Sequence, residues 1–246
     1  MTSDMDRPGQ FFTDDITTPP AERGDVPAHG VRAPLDREQH QIKDTLLRTS
    51  SLVEVAIAST VEALETHDAA KALAVIEGDA TINAMTAAAV EEVISTIATQ
   101  SPVARDLRFL LTLYDIATEL ERIGDYVANI AKRAQDLAPE PSLRASADVT
   151  QMGRLAIELL NEVMRSLVDS DVERARRAAS RDDEMDVLYH RAIDETTALA
   201  TQNASNVERA TRLQFAAHYM ERIGDRVTNI AEDVVFLSTG LREDLN

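Results

Sequence analysis

The sequence predicts an all-α protein built as two tandem three-helix bundles. Three observations lead there. The chain is rich in Ala and apolar residues (44% hydrophobic), with only 4% aromatics and no Trp, a composition that favours helix. From Leu35 onward its apolar residues recur at helical spacing, with no strand-like alternation. The peptide ERIGD occurs twice, at Glu121–Asp125 and Glu221–Asp225, 100 residues apart and each near the end of a long helical pattern. A motif duplicated at a fixed offset marks two copies of one structural unit.

The elements follow in order. Residues 1–34 hold five of the eight prolines and three glycines without a sustained period, which predicts a disordered tail. Leu35, Ile42, Leu46, Val53, Ile57, Val61 and Leu64 form the apolar stripe of a first helix. His67-Asp68 interrupts it, with Asp68 as N-cap of a second helix that runs to about Gln100. Ser101-Pro102 predicts an N-cap and first-turn proline for a third helix. This helix carries the first ERIGD and ends before Pro139 and Pro141. A fourth helix spans about Leu143 to Val168, and Asp169-Ser170-Asp171 separates it from a fifth that reaches Gln202. Asn203 to Asn206 is the next break. The sixth helix carries the second ERIGD and stops at Gly240, a C-terminal glycine cap. Six helices of about thirty residues are each about 45 Å long. Short breaks between them make antiparallel neighbours, grouped as 35–138 and 139–246.

Composition excludes several functions. A net charge of −18 argues against nucleic acid or an anionic membrane as a direct partner, and favours cations or basic protein surfaces. The absence of Cys removes disulfides, thiolate metal sites and cysteine nucleophiles. No apolar run is expected to span a bilayer. The first residues, MTSDMDRPGQ, lack the basic start and apolar stretch of a signal peptide. The expectation is a soluble, cytoplasmic protein.

The chemistry concentrates on the duplicated motif. Glu121, Asp125 and Asn129 are spaced four apart and share a helix face, as do Glu221, Asp225, Asn229 and Glu232. On the third helix that face continues an apolar one carrying Val103, Leu107, Leu111 and Tyr114. Carboxylates four apart on a helix repel by a few tenths of a kcal/mol. Gly124 and Gly224 each add about 1 kcal/mol of helix penalty. A local cost at matching places calls for a compensating contact. A cation supplies one, and each missing side chain lets a neighbouring helix approach. The middle helices offer Asp79 with Asn83, and Asp182 with Asp186 and His190. Such an oxygen-rich set suits Mg²⁺, Mn²⁺ or iron, and the histidine admits Zn²⁺. The competing reading is a solvated face with ordinary ion pairs, Arg122 to Asp125 and Arg222 to Asp225. His218 is assigned to packing. There is no Glu-x-x-His pair, no Gly-rich phosphate loop, no His-Glu-x-x-His and no Ser/His/Asp arrangement. No enzyme is therefore expected.

Beyond these features, Gln100-Ser101-Pro102-Val103-Ala104-Arg105-Asp106-Leu107-Arg108, with the helix leading into LERIGDYVANIAKRA, closely resembles the first repeat of the PhoU family. YMERIGDRVTNIAED resembles the second. The resemblance covers about residues 35–240 and leaves the proline-rich tail outside. It implies two three-helix bundles related by pseudo-twofold symmetry. It implies a negative regulator of phosphate uptake and of the phosphate-starvation response, acting with the ATPase of the phosphate ABC transporter and a sensor histidine kinase. It also implies divalent or trivalent metal held through E/DxxxD motifs. These map onto Glu121 with Asp125 and Glu221 with Asp225, and further onto Asp79 with Asn83 and Asp182 with Asp186. Asn83 stands where the family has Asp. The Asp106-Leu107-Arg108 signature has no counterpart at Asn206 and Glu208. A signalling adaptor is the leading expectation, a metal-storing bundle the second and a metal-dependent hydrolase the third. Exposed apolar positions on such long helices point to a homodimer.

Overall fold

The computed structural model describes residues 29–140 and 145–245. Seven α-helices occur among them: α1 (His29–Thr66), α2 (Ala69–Gln100), α3 (Arg105–Leu137), α4 (Ala145–Asp169), α5 (Val172–Ala179), α6 (Asp182–Gln202) and α7 (Val207–Thr239). A 3-10 turn, Ala204–Asn206, precedes α7. The tail expected over 1–34 lies outside the described residues up to 28. From His29 the chain is helical, with Pro34 inside α1.

Local chemistry accounts for most boundaries. The Asp68 side chain accepts the Lys71 N–H at 2.9 Å and caps α2, and Asp171 accepts from Arg174 at 3.0 Å to cap α5. Gly240, with φ of 78°, closes α7. Ser101 does not open α3. It sits left-handed at φ 49° and donates its N–H to Ile97, ending α2, so α3 starts only at Arg105. The single fifth helix expected from the sequence is divided. Around Ser180-Arg181 the chain tightens to three-residue hydrogen bonds, Arg181 to Ala178 and Glu184 to Arg181. Arg181 there pairs with both Glu158 and Glu184.

The helices α3 and α7 pack against each other at the centre. α2 lies along α3, and α6 lies along α7 and α4. α1 meets α4 through Asn161 to Glu54 and Lys43, whose ammonium donates to the carbonyls of Leu167 and Val168. The Tyr126–Tyr219 stack and the Glu119–Arg226 ion pair join α3 to α7 at positions exchanged by a pseudo-twofold axis. Leu113, Ile116, Leu120 and Ile123 of α3 share one core with Met220, Ile223, Val227 and Ile230 of α7. Val103, Leu111 and Tyr114 face outward instead.

One expectation is corrected here. By length and composition alone α2 could cross a membrane, since an 18-residue window within it reaches a mean hydropathy of 1.2. Even so, it buries Ala72, Val75, Ile82, Ala89 and Val93 against the bundle.

Candidate functional site

A flanking helix packs tightly against each ERIGD glycine. A Cβ added at Gly124 would lie 3.3 Å from Asp79 Oδ1 and 3.1 Å from Ile82. One at Gly224 would lie 3.2 Å from both Asp182 Oδ1 and Met185. The missing side chain therefore lets α2 set Asp79 beside Glu121 and Asp125, and lets α6 set Asp182 beside Glu221 and Asp225. The convergence shows in the acidities. Burial, then the nearby Asp125, raises Asp79. The same two causes raise Glu121. Burial followed by Asp225 raises Glu221. Asp182 is pushed up to about 6 by burial first, then by Asp186, Asp225 and Glu221.

The two clusters differ in their internal partners. In the first, Asn83 donates to Asp79 at 3.1 Å and Lys132 donates to Asn129 at 3.2 Å. Arg122 turns to Glu119 at 3.5 Å, not to Asp125. In the second, Arg222 meets Asp225 at 3.1 Å as expected. Asp186 is exposed, and Asn229 is half-buried one turn beyond Asp225. Glu232 accepts the backbone N–H of Leu245 at 3.0 Å. His218 packs between Tyr189 and Tyr219, with Nδ1 3.7 Å from Glu221. His190 lies exposed beside Tyr189.

Three oxygens of this set, Asp79 Oδ1, Asn83 Oδ1 and Glu221 Oε2, are buried without a hydrogen-bond partner. Such atoms call for an explanation, and a hard cation fits the donor chemistry. Among the described residues, however, no three Asp, Glu or His side chains meet around one metal-sized point.

Sequence reasoning missed a third acidic group. Asp233 of α7 is 6% exposed and faces Asp115 and Glu119 of α3, with Arg242 at 4.0 Å. Its signal was a charge between Ile230-Ala231 and Val234-Val235, on the side of α7 that faces the core.

The pattern of the PhoU domain matches this chain twice, at residues 46–134 and 149–234. The chain belongs to the PhoU family. Both matches contain an ERIGD row together with the flanking-helix aspartate it meets. The chain is 34% identical to a phosphate-specific transport system accessory protein PhoU homolog of Clostridium acetobutylicum, over 86% of this chain and 97% of the relative. It is also 34% identical to the homolog of Aquifex aeolicus, over 84% and 93%. The crystal structure of PhoU from Pseudomonas aeruginosa superposes with a TM-score of 0.81 at 30% identity, covering 84% of this chain and 99% of that one. The phosphate transport system regulatory protein PhoU of Streptococcus pneumoniae gives 0.79 at 26% identity, covering 85% and 99%.

Proposed function

We propose that the chain restrains phosphate uptake and the phosphate-starvation response as a non-enzymatic adaptor. It would link the cytoplasmic ATPase of a phosphate ABC transporter to a sensor histidine kinase, and work as a homodimer held near the membrane by those partners. The observation that carries this reading is the match, over nearly their whole length, to relatives named as accessory proteins of phosphate-specific transport. The net charge of −18 supports docking on basic protein surfaces rather than on nucleic acid. The test is alkaline phosphatase activity in phosphate-replete cells lacking the gene. Activity at the level of starved wild-type cells is expected; unchanged activity would sink the proposal.

A second reading, metal binding, is favoured by the buried oxygens of Asp79, Asn83 and Glu221 that lack a hydrogen bond, although that of Glu221 lies 3.7 Å from both His218 and Arg222. Asp79, Glu121, Asp125 and Asn129 would hold a cation in the first half. Asp182, Asp186, Glu221, Asp225 and Asn229 would do so in the second. Bound Mg²⁺, Mn²⁺, Zn²⁺ or iron would supply positive charge that offsets the repulsion among these carboxylates. Equilibrium dialysis against Mn²⁺ tests it. E121Q/D125N and E221Q/D225N are each expected to lose part of the wild-type uptake, and the combined variant nearly all of it. Equal uptake by wild type and the combined variant would overturn this reading.

A further inference from the structure

Each half serves as a control for the other, because two places closed from within in the second half are left open in the first. Asp182 and Met185 stand at Gly224 as Asp79 and Ile82 stand at Gly124. Positions therefore map from α2 to α6 at an offset of 103 (182 − 79), and from α3 to α7 at 100 (224 − 124). Burial follows both offsets. Ala89 and Val93 are buried as Ala192 and Thr196 are, and Leu113 and Leu120 as Leu213 and Met220 are.

The first place is the outer rim of the groove between flanking and central helix. In the second half Gln214 of α7 donates to the Thr197 hydroxyl of α6 at 3.2 Å and bridges that rim. The equivalent residues of the first half are Tyr114 of α3 and Ile94 of α2, and Ile94 has no polar atom to accept such a bond. Ile94 is 57% exposed and Tyr114 39%. Leu111, one turn before Tyr114 and the counterpart of Thr211, is 46% exposed. Polar side chains close the rim in one half, and three large apolar ones stand open on it in the other.

The second place is the acidic row beside that rim. Arg222 meets Asp225 at 3.1 Å and Glu221 at 3.7 Å. Its counterpart Arg122 turns to Glu119 instead, and Lys132 donates to Asn129. Among the described residues Asp79, Glu121 and Asp125 form no ion pair, and Asp79 Oδ1 and Asn83 Oδ1 are buried without a hydrogen bond.

We propose that the α2/α3 groove of the first half docks an amphipathic helix of a partner protein. Apolar side chains of that helix cover Ile94, Leu111 and Tyr114, and a lysine or arginine enters among Asp79, Glu121 and Asp125. This rests on the adaptor reading and names the surface through which the chain acts. The two open features select the occupant together. A metal ion neutralises the row and leaves the apolar rim in water. A lipid surface covers the rim, but the carboxylates repel anionic headgroups. A second copy of a chain of net charge −18 brings more negative charge to the row. A helix with an apolar stripe and one basic residue meets both needs. Tyr114 and Glu121 are seven residues apart on α3, about 10 Å along the axis, so the stripe and the basic residue stand about two turns apart on the partner.

The test titrates the purified full chain, in EDTA, against the purified transporter ATPase and against the cytoplasmic part of the sensor kinase. The wild type is expected to bind one of them. I94T/L111T/Y114Q gives the first half the exposed side chains of the second. It is expected to keep its circular dichroism and its Mn²⁺ uptake while Kd rises at least about tenfold. E121Q/D125N is expected to raise Kd by a similar factor, and E221Q/D225N to leave it unchanged. If the wild type binds and both first-half variants bind equally well, this face is overturned while the adaptor reading stands. A loss confined to the apolar variant overturns the entry of a basic residue, and an equal loss in E221Q/D225N overturns the assignment to the first half. A wild type that binds neither protein removes the adaptor reading and this surface with it.

Discussion

Asp233→Asn is expected to stabilise the protein by about 4 kcal/mol at pH 8 and to change stability little at pH 4. Asp233 is buried between α7 and α3, and its carboxyl is pushed up to about 7. Burial is the largest cause, followed by Asp115, with Glu119 and Glu232 adding to it. Arg242 opposes the shift, but it stands 4.0 Å away with its side chain 70% exposed, so solvent screens most of its effect. The sign follows from proton counting. Between the unfolded value of 3.8 and about 7, the folded protein holds a proton that the unfolded chain has released. Stability therefore falls as pH rises through that window, and above it the full cost of a buried carboxylate remains. Asn has the shape of the protonated acid and cannot ionise, so it removes that cost. Asp182, at about 6, contributes a smaller effect of the same sign that persists in the variant. Urea unfolding at pH 4 and pH 8 measures the difference. A variant no more stable than wild type at pH 8 would show that the Arg242 contact outweighs burial.

Asp233 also marks how far the sequence could be read. Helical periodicity and the doubled ERIGD led to the helices, their pairing into halves and the acidic rows, because each is a local pattern. The approach of Asp79 to Gly124 was legible as well, since a glycine inside a helix costs stability and needs a neighbour to account for it. What escaped was set by contacts across the chain. Asp233 has ordinary neighbours in sequence and becomes unusual only when α3 brings Asp115 and Glu119 against it. Ser101 carries an N-capping side chain, yet its backbone ends α2, because left-handed geometry at two nearby residues, Ser101 and Ala104, fixes the turn into α3. The division of the fifth helix follows Arg181, whose ion pair with Glu158 reaches across to another helix.

Gly153 is the position where a side chain is expected to do most harm. Gly153→Leu should cost about 3 kcal/mol or more. The glycine is buried on α4 at the junction of α1 and α7. A Cβ there would overlap Val61 Cγ2, stand 3.0 Å from Met220 Cε and 3.7 Å from Ile57. Met220 can move, because its chain is unbranched and flexible. Val61 cannot, since a β-branched side chain in a helix keeps a single rotamer, so the backbones of α1 and α4 must part. Gly78 is the control. Its Cβ would meet nothing, so Gly78→Ala should gain up to about 1 kcal/mol from helix propensity alone. Opposite signs at two helical glycines would separate packing from propensity, and equal small gains would remove the packing argument. The consequence for function lies in where Gly153 sits. It closes the seam between α1 of the first half and α4 and α7 of the second, and α7 carries Glu221 and Asp225. Forcing that seam apart should therefore disturb the relation between the two acidic clusters before it unfolds either bundle.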